Sequence, residues 1–182
     1  MGRWEIGKAT DCDDARRVTP SQVSIRAGTR WSLRDPRVIV RSPFNPEHWM
    51  NAAERHDFAV RYTAAWCSQD PESVAAFYTP DGVIAINGGT PSVGRAAVAE
   101  SARGFMTAFP DLVVELDGLE IDGERAVYRW TLHGTNTGPG GTGRCVRVSG
   151  SETWTFGAGG LVADSTGTFD VADYERQLRG EG

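Results

Sequence analysis

Long apolar runs are missing from this sequence of 182 residues. Nowhere do hydrophobic residues approach the roughly 18 consecutive positions that a membrane-spanning helix requires. An apolar segment typical of a secretory signal peptide is missing as well. We therefore expect a soluble, cytoplasmic protein without a membrane partner. The length suits a single domain that is large enough to bury a sizeable core.

Metal and cofactor motifs are also missing. The three cysteines are widely separated, and no His-Glu-x-x-His motif or calcium-loop spacing of carboxylates occurs. Residues 138–143, Gly-Pro-Gly-Gly-Thr-Gly, match a dinucleotide fingerprint in letters only, because a strand is predicted after them where the fingerprint needs a helix. We expect a hairpin connection there, and neither a metal nor a cofactor.

Positive charge is scarce outside the N-terminal segment. The net charge is −5, but residues 1–45 hold nine basic and five acidic residues, which leaves ten basic and nineteen acidic residues in 46–182. Residues 46–182 therefore carry a net charge of about −9, and this negative charge disfavours a partner with a phosphate backbone. Nucleic acid is not expected as a ligand.

The hydrophobic pattern divides the chain into three parts. Residues 1–44 show no sustained period and are predicted to be a poorly structured extension that is dispensable for folding. Residues 45–178 alternate between helical and strand periods and are predicted to form the domain, and residues 179–182 form a tail. Helices are predicted over 45–68, with Asn45 and Pro46 at the start, 71–78 and 95–109. Strands are predicted near 82–87, 112–121, 125–135, 144–156 and 161–170. Helices first and strands last indicate an α+β domain whose helices cover one face of an antiparallel sheet.

Aromatic residues of the first two helices are predicted to meet. Tyr62 and Trp66 are four positions apart and share one helical face. Asp70 is a predicted N-cap with Pro71 at the first helical position, so the second helix should bring Tyr78 close to them. A buried face with a phenol and an indole suits the lining of a small-molecule pocket.

One carboxylate interrupts an apolar strand face. Alternation over 145–156 places Glu152 on the face that holds Val146, Val148, Gly150, Trp154 and Phe156. A carboxyl group there is either desolvated, with a raised pKa, or paired with a donor. The alternatives are a strand-end side chain that reaches solvent or a structural hydrogen bond. If Glu152 is a functional donor, Glu152→Leu should preserve or improve stability while weakening the binding of a carbonyl ligand. His133 shares its strand face with Arg129, which favours an exposed or interface position.

Residues 61–88 resemble the opening of the nuclear transport factor two-like superfamily, the fold of ketosteroid isomerases and SnoaL-like polyketide cyclases. Residues 109–112, 127–131, 134–138 and 174–178 resemble the SnoaL-like branch in particular. The resemblance covers roughly residues 47–178. It implies a cone-shaped, curved antiparallel sheet covered by N-terminal helices, and a homodimer formed through the outer sheet face.

The resemblance also implies roles for individual residues. Ketosteroid isomerases stabilise an enolate oxygen with a tyrosine and a protonated carboxylic acid, an established case for that family. The matching positions here are Tyr62 and Glu152. The general base of the isomerase falls on Ile86, and the catalytic aspartate of the SnoaL-like cyclases falls on Gly167, so both usual bases are missing.

Two functions remain open at this point. The first is an isomerase or cyclase that acts on an apolar carbonyl substrate, with Tyr62 and Glu152 as catalytic groups. Its pocket walls would be Trp66, Tyr78, Ile86, Val148, Trp154 and Phe169, and Gly150 and Gly167 would leave room for the substrate. The second is a non-catalytic ligand-binding or association module on the same fold. An epoxide hydrolase is a weaker alternative, because it needs an Asp-Arg-Asp set inside the pocket.

Overall fold

The computed structural model describes residues 50–181. The predicted extension over residues 1–44 and the predicted helix start at Asn45 lie outside the described residues. The predicted domain boundaries therefore stay predictions.

The first described helix, α1, spans Ala52–Cys67. It begins here because Asn51 and Glu54 form a capping box, in which each side chain accepts a hydrogen bond from the other residue's backbone N–H. Its buried face includes Phe58, Tyr62 and Trp66, which continue the predicted spacing. Cys67 is a free thiol at the end of the helix.

The second helix is shorter than predicted. Helix α2 spans Pro71–Ala75, with Asp70 as its N-cap, and strand β1 then spans Tyr78–Ile86. The prediction that Tyr78 ends a helix is therefore wrong. Tyr78 instead pairs with Val162 in the sheet. Gly82 lies inside β1 at an irregular stretch, where a Cβ atom would meet the Val162 carbonyl oxygen at 2.9 Å.

The remaining elements follow the predicted order, with one short strand and a C-terminal helix that were not predicted. They are β2 (Ser92–Val93), α3 (Arg95–Ala108), β3 (Val113–Asp122), β4 (Arg125–Thr135), β5 (Cys145–Phe156), β6 (Val162–Phe169) and α4 (Val171–Arg179). A single 3-10 turn at Ala158–Gly160 connects β5 and β6. The six strands form one sheet in the order β2-β1-β6-β5-β4-β3, in which only the β1–β6 pair is parallel. This mixed α+β architecture agrees with the predicted fold class.

The core lies between the inner face of the sheet and helices α1 to α3. Tyr62, Tyr78 and Trp154 are fully buried there. Tyr62 is the centre of an aromatic cluster, with its ring 5.1 Å from Trp154 and 5.6 Å from Tyr128, both edge-on. Such pairs add to the free energy that burial already contributes. The cluster fixes α1 over β4 and β5, and so fixes the side chains that point from α1 toward the sheet.

Helix α4 closes one end of the sheet. Strand β6 ends at Phe169. Beyond this point β5 is paired by the side-chain amide of Gln177 in α4, which accepts a hydrogen bond from the Arg147 N–H and donates one to the Arg147 carbonyl oxygen. Asp170 is the N-cap of this helix. Tyr174 packs edge-on against Phe169. Among residues 50–181, no helix is long and apolar enough to cross a membrane.

Candidate functional site

The register of the sheet brings the residues of the site together in two rows on its inner face. Tyr128, Glu152, Gly167 and Ile86 lie side by side on β4, β5, β6 and β1. Trp130, Gly150 and Phe169 form the next row. The single carboxylate of these two rows therefore has an aromatic ring on one side and a glycine on the other.

A small apolar cavity lies above these rows. The space between its walls, together with the solvent at its open mouth, is about 480 Å³. Most of its lining residues are aromatic or aliphatic. The full lining is Trp66, Ile84, Ile86, Phe105, Val114, Tyr128, Trp130, Leu132, Glu152, Gly167 and Phe169. Glu152 is the only carboxylate among them. In the described part of the chain, no group of three or more His, Cys, Asp or Glu side chains is placed to hold a metal.

The Glu152 carboxyl group is held by three donors on one oxygen. Its Oε2 atom accepts hydrogen bonds from Tyr62 Oη at 3.0 Å, Trp154 Nε1 at 2.9 Å and Ser165 Oγ at 3.0 Å. The other oxygen, Oε1, accepts no hydrogen bond from residues 50–181. The carboxyl group is therefore fixed at one oxygen and left free at the other.

Tyrosines continue the network behind the carboxyl group. The hydroxyls of Tyr62 and Tyr78 are 3.0 Å apart. Because Tyr62 uses its proton toward Glu152, Tyr78 is the donor of this second bond. The phenol of Tyr128 points elsewhere: Thr63 Oγ1 donates to the Ala59 carbonyl, so Tyr128 donates to Thr63 at 2.8 Å. Tyr128 contributes its ring to the cavity wall, and its proton is used outside the cavity.

Burial favours the neutral form of every acid in this network. Desolvation raises the pKa of Glu152 above its ordinary value, against the opposing effect of the hydrogen bonds from Trp154, Ser165 and Tyr62. Desolvation, together with the nearby Glu152, also raises the pKa of Tyr62 and Tyr78. Because Oε2 already accepts three hydrogen bonds, the proton of a neutral Glu152 belongs on Oε1.

The predicted site residues divide into two sets. Trp66, Ile86, Glu152 and Phe169 line the cavity. Tyr62, Tyr78, Val148 and Trp154 are buried but do not line it. The Tyr62 hydroxyl lies behind Glu152 and contacts its carboxyl group, and Trp154 does the same through its indole N–H. Tyr62 and Trp154 therefore hold the acid in place, and neither of them forms the cavity wall.

The two glycines of the inner face differ from each other. Gly167 lines the cavity, and a Cβ atom there would meet Glu152 Cγ at 3.5 Å, an ordinary contact. At Gly150 a Cβ atom would lie 2.5 Å from both Trp130 Cζ2 and the Thr168 carbonyl oxygen. The prediction that Gly150 leaves room for a ligand is therefore wrong, because the indole of Trp130 occupies that space.

Sequence reasoning missed Ser165 and Trp130. Ser165 is fully buried opposite Trp154 on β6, and a lone serine in a strand gives no signal of its own. Trp130 lines the cavity, and its indole nitrogen is buried without a hydrogen-bond partner among the described residues. His133 lies on the other face of β4, with Nε2 3.8 Å from Glu115.

A family model for the SnoaL-like domain matches residues 59–165, which is more than half of the chain. The chain belongs to the SnoaL-like family. The match begins within α1 and ends within β6, so it includes Glu152 and stops before Gly167 and Phe169. No curated protein matches the chain.

Solved structures support this SnoaL-like assignment. AclR from Streptomyces galilaeus, a candidate hydroxylase, is 25% identical over 71% of this chain and 83% of that chain, with a TM-score of 0.62. A candidate SnoaL-like polyketide cyclase from Jannaschia sp. CCS1 is 18% identical over 76% and 95%, with a TM-score of 0.62. A protein with a ketosteroid isomerase-like fold from Catenulispora acidiphila, in complex with trimethylamine, is 13% identical over 68% and 92%, with a TM-score of 0.61. At these identities the last two show the fold alone.

Proposed function

We propose that this SnoaL-like protein binds a small, mostly apolar molecule with a carbonyl group, and that Glu152 donates a hydrogen bond or a proton to the carbonyl oxygen. The observation that carries the proposal is the Glu152 carboxyl group, whose Oε2 accepts from three protein donors while Oε1 accepts from none among residues 50–181. A neutral acid fixed in this way has one free O–H group, at the apolar cavity that Glu152 lines.

The same network stabilises the product of proton transfer. If Glu152 gives its proton to the ligand, the resulting carboxylate keeps the hydrogen bonds from Tyr62, Trp154 and Ser165 at Oε2. Hydrogen bonds to a charged oxygen are stronger than those to a neutral one. The three donors therefore act as positioning groups that both aim the acid and stabilise its conjugate base. Tyr62 belongs to this set in the proposal.

The reaction class follows from what the cavity wall lacks. The usual base positions hold Ile86 and Gly167, so the lining residues of the described part of the chain supply no second carboxylate to remove a carbon-bound proton. An aldol-type ring closure of a substrate that already carries an enol suits this set. The enol carbon forms a bond to the carbonyl carbon, the carbonyl oxygen takes the proton of Glu152, and the enol proton returns to the carboxylate. Glu152 ends in its starting form.

A non-catalytic binding module is the second candidate. The single acid in the cavity favours it, because a binding protein needs a donor but no base. Both candidates predict that Glu152→Gln keeps carbonyl binding, since the amide N–H₂ replaces the acid O–H as donor while the amide oxygen accepts the three hydrogen bonds. They differ in turnover, which the amide cannot support.

The trimethylamine found with the Catenulispora protein raises a third chemistry. A carboxylate in an aromatic cavity could hold an alkylammonium group, which binds to aromatic faces. That ligand requires an ionised Glu152, whereas burial raises the pKa of this group. The proposal therefore favours a neutral acceptor over a cation.

Calorimetric titration with a carbonyl probe tests the proposed function. α-Tetralone has a carbonyl group on a compact apolar skeleton, tetralin is the same skeleton without oxygen, and α-aminotetralin carries a cation. We expect the ketone to bind at least about threefold more tightly than the hydrocarbon, a difference that one net hydrogen bond supplies. The preference should persist in Glu152→Gln and disappear in Glu152→Leu. Equal affinity for ketone and hydrocarbon in the wild type would contradict the proposal.

A further inference from the structure

We propose that Phe105 sets the largest ring system that the cavity accepts, and that the ligand carries its carbonyl group on a flat skeleton of two fused rings. The inference rests on the proposed function and extends it, because it assigns the size of the skeleton to which the carbonyl group belongs. Phe105 is then a specificity-determining residue, and it takes no part in proton transfer.

The cavity has a buried end and a partly exposed end. Glu152 lies at the buried end. Four lining residues keep partial exposure, and we call them the mouth: Ile86, Phe105, Trp130 and Phe169. A ligand whose carbonyl oxygen meets the acid at the buried end extends its skeleton toward the mouth. The residues of the mouth therefore decide how long that skeleton can be.

The sheet fixes three of the four mouth residues. Ile86, Trp130 and Phe169 lie on β1, β4 and β6. The ring of Trp130 rests on Gly150, where Cζ2 is 2.5 Å from the position of a Cβ atom. Phe169 packs against Trp130 at 6.2 Å and against Tyr174 at 5.6 Å. This side of the mouth is held by neighbouring strands and rings.

Phe105 is the mouth residue that a helix supplies. It lies on α3, and its ring packs edge-on against Trp66 at 6.1 Å, its one aromatic contact within residues 50–181. The preceding residue, Gly104, is exposed, and a Cβ atom there would meet nothing within 4 Å beyond the helix itself. The three donors that hold Glu152 come from α1, β5 and β6. Removing the Phe105 ring would therefore open the mouth on the helix side and leave the hydrogen bonds of the acid in place.

The size of the cavity limits the skeleton. The value of about 480 Å³ includes solvent at the mouth, so the enclosed part is smaller. Small-molecule sites span roughly 300 to 1,000 Å³, and this cavity belongs to the lower part of that range. Two fused rings suit such a space, and the aromatic walls favour a flat skeleton. A third fused ring would reach the mouth and meet Phe105.

Calorimetric titration with ketones that differ by one ring tests this limit. α-Tetralone has two rings, and in tetrahydrophenanthrenone a naphthalene replaces its benzene ring while the ketone ring stays the same. In the wild type we expect the three-ring ketone to bind no more tightly than α-tetralone. In Phe105→Ala we expect it to bind at least about tenfold more tightly than α-tetralone, because burial of about two of the added carbons supplies that factor.

Two further variants control the measurement. Phe77 is also partly buried and packs edge-on against Tyr62 at 5.5 Å, but it does not line this cavity. Phe77→Ala should therefore keep the wild-type ratio of the two affinities. Phe105→Leu keeps an apolar side chain on α3 and should give a ratio between those of the wild type and Phe105→Ala, so it retains the test if alanine impairs folding.

The outcomes separate this inference from the proposed function. The role of Phe105 is wrong if the wild type already binds the three-ring ketone about tenfold more tightly, or if both Phe105 variants keep the wild-type ratio. An equal change of the ratio in Phe77→Ala would also overturn it, since general loosening would then be the cause. If the wild type does not prefer α-tetralone to tetralin, the proposed function fails, whereas the affinity ratio of the hydrocarbons tetralin and tetrahydrophenanthrene still decides the size limit.

Discussion

Replacing Glu152 by leucine should destabilise the protein strongly, whereas glutamine should not. The expectation drawn from sequence was that leucine is tolerated, because a lone buried carboxyl group is costly. The structure reverses it: Tyr62, Trp154 and Ser165 all donate to Oε2, and leucine leaves them without an acceptor. Each unsatisfied donor costs about 1 to 3 kcal/mol.

The net magnitude depends on which donors find another partner. The Ser165 hydroxyl can rotate, but the indole N–H of Trp154 is fixed by its ring. Turning the Tyr62 hydroxyl toward Tyr78 would displace the hydrogen bond that Tyr78 donates to it, so one tyrosine hydroxyl also stays unsatisfied. The buried leucine side chain regains about 1.5 to 3 kcal/mol. Two unsatisfied donors cost about 2 to 6 kcal/mol, so after the gain from leucine we expect Glu152→Leu to lower the free energy of unfolding by about 2 kcal/mol, a substantial fraction of the stability of a typical domain. Glu152→Gln keeps the acceptor and should cost about 1 kcal/mol or less.

Urea unfolding followed by far-ultraviolet circular dichroism measures both variants. The matched controls are Glu120→Leu and Glu120→Gln, which change an exposed glutamate of β3 that pairs with Arg129. Surface changes of this kind stay within about 1 kcal/mol of the wild type. If Glu152→Leu were as stable as the wild type, the three-donor network would be refuted, and Glu152 would not be held in the orientation that the proposed function requires.

Three further predictions follow from the same geometry. Folding raises the pKa of Glu152, so its contribution to stability is complete below the ordinary value of 4.5 and is lost as the pH rises through the folded value. Urea unfolding across pH should therefore show this loss of unfolding free energy in the wild type and not in Glu152→Gln. Parallel curves of unfolding free energy against pH would contradict it. Gly150→Ala should destabilise the protein by about 1 to 3 kcal/mol, because its Cβ atom overlaps Trp130 and the Thr168 carbonyl oxygen. Gly167→Ala should fold normally and weaken α-tetralone binding. Equal stability of the two variants in urea would contradict the described packing of Trp130 on Gly150. The proposed homodimer through the outer sheet face, which carries Arg129, Thr131, His133, Arg147 and Thr153, predicts a species near twice 19.7 kDa in sedimentation at micromolar concentration, and a monomer alone would reject it.

Much of the fold follows from local pattern. Period-two alternation placed β3 to β6 within one residue or two, and the Asp70-Pro71 cap placed the start of α2. The end of α2 could not be predicted in the same way. Residues 71–78 are compatible with a helix locally, and Tyr78 is a strand residue because its backbone finds a partner in Val162, 84 positions away in sequence.

The site was predictable where a side chain stands out from its neighbours. Glu152 interrupts an apolar strand face, so alternation alone predicted that its side chain lies on the inner face of the sheet. Which of its two oxygens accepts hydrogen bonds depends on Ser165 and Trp154. The pairing register of β5 with β6 brings these two residues to the carboxyl group. The glycines show the same limit: sequence cannot distinguish Gly167, which borders the cavity, from Gly150, which the ring of Trp130 covers. Only the packing of β4 on β5 decides that difference.

Titration of the Glu152 carboxyl carbon by nuclear magnetic resonance tests the central claim most directly. Protein with carbon-13 in its glutamate carboxyl groups gives one signal per residue, and the Glu152 signal is the one that is lost in Glu152→Gln. We expect this group to remain protonated near neutral pH, because burial raises its pKa. A Glu152 midpoint near the ordinary value of 4.5 would show a carboxylate in the cavity and would contradict the proposed acid.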